Sequence, residues 1–142
     1  MSVLDTRQQE EIKTAIAHAE HQTSGEIRVC MEKKCKIDPV NRAAYYFHKL
    51  GMEKTQYRNA VLIYLAYGDR KFAIIGDEGI HKHAGPHFWD ETKNLMLSYF
   101  QKGEIKEALI TGIREAGLKI KKFFPHGAND RNELSDEIVV ID

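Results

Sequence analysis

The chain has no excess of charge, no long apolar run and no thiol pair at metal-binding spacing. Its 142 residues carry 21 Lys plus Arg and 21 Asp plus Glu, so no net field gathers nucleic acid or anionic lipid, and no nucleic-acid partner is expected. Nothing approaches the roughly 18 consecutive apolar residues of a membrane-spanning helix. The opening Met1-Ser2-Val3-Leu4-Asp5 lacks the basic and apolar regions of a secretory signal. The two cysteines, Cys30 and Cys35, form neither a CxxC pair nor a zinc spacing; they read as a core thiol and a loop thiol in a reducing, cytoplasmic compartment. Internal repeats, low-complexity tracts and linkers are also missing.

What is present suits one soluble globular domain. With 42% hydrophobic and 30% charged residues, a chain of this length buries roughly two-thirds of its unfolded surface. One domain over 1–142 is expected, with a core at about 5–125 and a tail at 126–142. Thr6 and Gln9 stand at capping-box spacing before a helix with Ile12, Ala15, Ile16 and Ala19 on one stripe. Glu26 to Lys33 alternates apolar and polar residues, the pattern of a half-exposed strand near an edge. Asp38-Pro39 starts a helix that Gly51 stops. Ala60 to Tyr67 is apolar at nearly every position, as in a strand covered on both faces. Gly68-Asp69 turns it into a second strand, Lys71 to Ile75. Gly76-Asp77-Glu78-Gly79 reads as a loop, followed by a His-rich bend, a helix from about Phe88 to Phe100 and a longer helix after Gly103. His126 to Asn132 is turn-rich, and Ile138-Val139-Val140-Ile141 could add a short edge strand. The order αβαββαα predicts a three-layer α/β/α sandwich on a small mixed sheet.

Strand direction sorts the polar residues. One rim of the sheet is expected to gather Glu26, Arg58, Asn59, Asp77 and Glu78; the other holds Lys33, Lys34, Asp69 and Arg70. Three carboxylates and an amide from separate segments suit a hard divalent cation, calcium or magnesium, with Glu26, Asp77, Glu78 and Asn59 as ligands. Arg58 fits the same group either as a phosphate contact or as a counter-charge in a metal-free ion-pair network. His81, His83 and His87 form a competing cluster, read first as surface or helix-entry histidines because Pro86 breaks helical spacing. Asp69-Arg70 reads as an exposed turn, with a docking contact as the functional alternative. Phe88, Trp89, Tyr99 and Phe100 read as core, and Lys119-Ile120-Lys121-Lys122 as a solvated helix end.

Several of these segments, in order, carry a resemblance. Gly25-Glu26-Ile27-Arg28-Val29, then Arg58-Asn59 before the apolar strand, Asp69-Arg70-Lys71 at the turn, Gly76-Asp77-Glu78-Gly79-Ile80 and Gly103 resemble the TPM domain family, which includes a thylakoid-lumen acid phosphatase. Phe88-Trp89-Asp90 and the tail Asn132 to Val139 are similar to a bacterial branch of it. The match runs over about residues 5 to 141. It implies an α/β/α sandwich, phosphatase activity, calcium or other divalent binding, and roles in maintaining membrane protein complexes. Where relatives carry glycine-aromatic-glycine after the third strand, this chain has Gly76-Asp77-Glu78-Gly79; the transmembrane helix, signal peptide or glycine-rich tail of many relatives is absent from the sequence.

The chemistry is narrower than the resemblance. Neither cysteine has an arginine six residues on: those positions are Lys36 and Asn41. Asp-x-Asp-x-Thr, Arg-His-Gly and GxxxxGK motifs are all missing, leaving metal-assisted hydrolysis as the route for a phosphomonoesterase. The expected function is therefore a binding or adaptor module with an acidic cation cleft, supporting protein partners or a membrane protein complex; a metal-dependent phosphomonoester hydrolase is the alternative.

Overall fold

A computed structural model describes residues 3–127 and 133–141. The helix α1 (Thr6–Glu20) precedes β1 (Glu26–Glu32) and α2 (Pro39–Lys49), and a hairpin follows from β2 (Ala60–Ala66) and β3 (Lys71–Gly76). The one-turn α3 (Glu78–His81), then α4 (Asp90–Gln101), α5 (Ile105–Ile120) and the two-residue β4 (Val139–Val140) complete the described elements. The sheet order is β3-β2-β1-β4. β1 runs parallel to β2, with Glu26 opposite Ala60 and Glu32 opposite Ala66. β3 is antiparallel to β2, and β4 parallel to β1.

Two apolar layers hold the sheet between helices. Ile27, Val29 and Met31 of β1 and Val61, Ile63 and Leu65 of β2 pack with Ile12 and Ile16 of α1, Met96 of α4 and Leu109 and Ile113 of α5. On the other face Cys30, Leu62 and Tyr64 meet Ala43, Tyr46 and Phe47 of α2. Every residue of β2 is buried, as its unbroken apolar run requires. The three-layer sandwich is the expected one.

Local details differ where a longer-range or stronger partner wins. α1 is capped by Asp5 rather than Thr6: the Asp5 carboxylate accepts from Gln8 N–H at 2.7 Å, and Gln8 returns a bond to Asp5 N–H at 3.0 Å. A carboxylate at this position accepts more strongly than a hydroxyl. β1 is near an edge, one strand in from it, but it is not half-exposed. The tail adds β4 alongside it, with Ile141 N–H donating to the Met31 carbonyl at 2.8 Å, and six of its seven residues are buried. β1 and β2 each stop one residue short of the expected end. Gly76-Asp77-Glu78-Gly79 is not an open loop, since Asp77 caps α3 through Glu78 N–H. α4 starts at Asp90, because Phe88 and Trp89 turn in against the core. In the hairpin, a Cβ on Gly68 would lie 2.5 Å from the Lys33 carbonyl oxygen, so only glycine fits. The turn-rich stretch expected up to Asn132 lies, from residue 128 on, outside the described residues.

Candidate functional site

Ala60 is the hinge of the acidic rim. It pairs with Glu26 across β1, and its carbonyl accepts the Asp77 N–H at 2.9 Å. Glu26, Arg58, Asn59, Asp77 and Glu78 thus share one end of the sheet, but they divide into two groups on either side of β2.

The group on the β3 side is an ion pair. Arg58 Nε donates to Asp77 Oδ2 at 2.7 Å and Nη2 to Oδ1 at 2.9 Å, a two-pronged contact that favours arginine. Asp77 Oδ1 also accepts the Glu78 N–H at 2.8 Å. The exposed Glu78 carboxylate stands farther off, 3.7 Å from Arg58 Nη1. Hydrogen bonding to Asp77 holds the Arg58 guanidinium above its ordinary range. Arg58 has φ +52°, a left-handed conformation that costs a non-glycine residue about 1 kcal/mol. Gly79 explains the sequence around the pair. Its N–H donates to the Arg58 carbonyl at 2.8 Å, and a Cβ there would fall 2.3 Å from the Tyr57 carbonyl oxygen.

The group on the β4 side is all carboxyl. Glu26 is 3% exposed, and its Oε1 accepts N–H bonds from Glu133 at 2.8 Å and Leu134 at 2.7 Å. Glu20, at the end of α1, accepts the Ile27 N–H at 2.7 Å and hydrogen-bonds the Asp136 carboxyl. Burial, and then the bond to Asp136, pushes Glu20 up to about 10. Burial pushes Glu26 up to about 7, against the two tail N–H groups that favour its anion. Neither Glu20 nor Glu26 has a Lys or Arg partner among the described residues. Asn59, fully buried, gives its side-chain N–H to Ser24 Oγ at 3.3 Å, while its Oδ1 has no hydrogen-bond partner among the described residues.

The histidines do not converge. His83 stacks on Phe123 with ring centres 4.8 Å apart. His87 pairs with Asp90 at 2.8 Å, and His81 is exposed at the end of α3. Among the described residues no three His, Cys, Asp or Glu side chains are grouped as ligands for one metal ion.

At the opposite rim, sequence reasoning missed a buried polar network. Glu32 takes Arg42 Nε at 2.8 Å and Nη2 at 3.2 Å, with Tyr46 and Tyr64 hydroxyls donating to the same carboxylate. Burial alone would raise the Glu32 carboxyl; the bonds from Arg42, Tyr64 and Tyr46 outweigh it and hold the group low. Burial and Glu32 push Tyr64 well above the ordinary phenol range and Tyr46 up to about 12. Glu32 seemed a solvent-facing strand residue; its one sequence signal was Arg42 and Tyr46, one helical turn apart on the neighbouring helix. Nearby, Asp69 accepts the Cys35 N–H at 2.7 Å and Lys71 donates to the Cys35 carbonyl at 3.0 Å, so Asp69 braces the loop between β1 and α2. Arg70 beside it is exposed, with φ +55°. Both cysteines are buried free thiols, and burial pushes Cys30 up to about 12.

The TPM domain family matches residues 1–118 of the chain. The chain belongs to the TPM domain family. The BA42 protein of the psychrophilic bacterium Bizionia argentinensis, solved by NMR, is similar at 41% identity over 97% of this chain and 95% of its own, with a TM-score of 0.91. The N-terminal domain of cg2496 from Corynebacterium glutamicum shares the fold alone, at 15% identity, over 81% of this chain and 72% of its own, with a TM-score of 0.65. No curated protein matches the chain. Among the described residues of this TPM domain, no helix is long and apolar enough to cross a membrane.

Proposed function

We propose that this TPM domain is a cation-responsive binding module that supports protein partners, rather than a hydrolase. The observation that carries the reading is the convergence of Glu20, Glu26 and Asp136 without a neighbouring lysine or arginine for the first two. Burial pushes Glu20 up to about 10 and Glu26 up to about 7, and a hard divalent cation, calcium or magnesium, is the natural replacement for a proton held there. No three of these acids are grouped as ligands for one ion among the described residues, so the ion would rest on one or two carboxylate oxygens, with Asn59 Oδ1, which has no hydrogen-bond partner among the described residues, as a neutral oxygen on the same rim. With few protein ligands the ion would keep part of its water shell, as magnesium commonly does. Bound there, it would supply charge neutralisation between the end of α1, the start of β1 and the tail residues 133–136. Asp77 and Glu78, expected as ligands with Glu26, are better assigned to holding Arg58.

Support for binding over phosphomonoester hydrolysis comes from what the other groups are doing. Arg58, the candidate phosphate contact, is committed to Asp77. Both cysteines are buried, and burial pushes the Cys30 thiol up to about 12. The partner surface we favour is the outer side of α2 and the loop before it, where Ile37, Val40 and Tyr45 are 51%, 45% and 49% exposed.

A calcium and magnesium titration at pH 7.5, followed by amide NMR and thermal unfolding, tests the reading. Saturable shifts at Glu20 to Ile27 and at 133–137, lost in Glu26→Gln and retained in Asp77→Asn, are expected. Shifts confined to Arg58, Asp77 and Glu78, or no shift at all, would refute it. EDTA-sensitive turnover of p-nitrophenyl phosphate would restore the hydrolase.

A further inference from the structure

At the rim opposite the acidic cluster, a cavity of about 710 Å³ opens between the β2–β3 hairpin and the turn joining α4 to α5. Its walls are apolar: Leu65, Phe72, Leu97, Phe100 and Ile105. The Phe72 and Phe100 rings meet at 4.9 Å between centres and form one side. Leu97, 42% exposed, is left without cover at the opening. Two cations, Arg70 and Lys102, are the charged residues that line it, and no aspartate or glutamate does. Both are exposed. Arg70 forms no ion pair among the described residues, while Lys102 lies 5.7 Å from the Tyr99 ring centre. Arg70 is also held in a left-handed backbone conformation that glycine or asparagine would adopt more easily. Arg70 is thus a strained, exposed arginine without an ion pair among the described residues, set beside an apolar cavity.

From this juxtaposition we infer that the cavity binds a small amphipathic anion, an alkyl carboxylate of medium chain length. The apolar walls take the chain, and Arg70 and Lys102 meet the carboxylate at the mouth. The volume lies in the range of small-molecule sites, and guanidinium suits carboxylate geometry. An uncharged chain would leave both cations unused, and a cation would be repelled. This site shares no residue with the acidic rim and is independent of the proposed cation.

The full chain titrated with sodium decanoate, followed by amide NMR, tests the inference. Saturable shifts clustered at Phe72, Leu97, Phe100 and Gly103 are expected, with a Kd below about 1 mM. Arg70→Gln and Lys102→Gln, both at exposed positions, are each expected to raise Kd about tenfold while leaving the spectrum of the free protein otherwise unchanged. Arg70→Gly relieves the backbone and should be at least as stable as the parent, yet lose binding to the same extent. 1-Decanol should bind about tenfold more weakly than decanoate. Equal affinity for decanol, unchanged affinity in both glutamine variants, shifts located elsewhere or no saturation would each overturn the site. Vesicles of anionic phospholipid bound in preference to free decanoate would overturn it as well, because a membrane surface rather than a single chain would then be the ligand.

Discussion

Replacing Glu20 by glutamine is expected to stabilise the protein at neutral and alkaline pH, although Glu20 makes two hydrogen bonds. Its carboxyl stands at about 10 in the folded chain, against roughly 4.3 for an unperturbed glutamate. Between those values the folded state holds a proton that the unfolded state has lost. Stability is therefore fully present at low pH and falls as pH rises toward the folded value, by at most about 1.4 kcal/mol per pH unit. From pH 5 to pH 8 the upper limit is about 4 kcal/mol; partial exposure and sharing with Asp136 reduce this to about 2 kcal/mol. Glutamine carries no charge to bury, keeps an acceptor for the Ile27 N–H and gains donors for Asp136. Glu20→Gln should raise Tm by about 3 to 8 °C at pH 8 and change it little at pH 5. Thermal unfolding of both proteins from pH 5 to pH 9, with and without calcium, measures this. Calcium should narrow the gap at pH 8 by stabilising only the parent. A variant less stable than the parent at pH 8, or a gap that does not grow with pH, would show that Glu20 is ionised and favourably held, and the argument for the cation would go with it.

Glu32→Gln should cost about 2 to 4 kcal/mol in urea unfolding at pH 7, because Arg42 loses its charge partner while two tyrosine hydroxyls lose an anionic acceptor. The folded Glu32 carboxyl lies below its ordinary value. Its stabilisation is thus present above about pH 4.5 and lost as pH falls below that, so the variant should show a flatter acid limb below about pH 4.5. Gly79→Ala drives a Cβ into the Tyr57 and Arg58 carbonyl oxygens, which cannot swing away as a side chain can. A loss of at least about 2 kcal/mol and displaced Arg58 and Asp77 resonances are expected. Asp69→Ala removes the acceptor of the Cys35 N–H; faster exchange of that amide and a loss of about 1 kcal/mol check the brace.

Much of the architecture was legible because it rests on short-range signals. The apolar run from Ala60 to Tyr67 gave the doubly covered strand, Asp38-Pro39 gave the start of α2, and Gly68-Asp69 gave the hairpin turn. The candidate site was legible only in its location. Strand polarity brought Glu26 and Asp77 to one rim, yet it carried no information about which partner each acid would take. Arg58 lies 19 residues before Asp77, whereas Glu26 binds Glu133 and Leu134, 107 and 108 residues away. The alternation that made β1 look half-exposed was real. Its polar side is buried because α2 and the tail supply hydrogen bonds to Glu32 and Glu26, and a satisfied polar group can be buried at little net cost.

By itself, then, the sequence determined the main strands and helices, the cap of α2, the hairpin turn and the layered arrangement, since each depends on residues within a few positions of one another or on periodicity along one segment. Only the tertiary structure decided that Glu26 and Glu20 meet the tail while Asp77 keeps an arginine, that Glu32 anchors a buried network, and that Arg70 and Lys102 flank one apolar cavity. Those outcomes depend on distance and burial between segments far apart in the chain. Charge and hydrogen-bonding capacity can be read from a residue type, but its dielectric surroundings and its partner cannot.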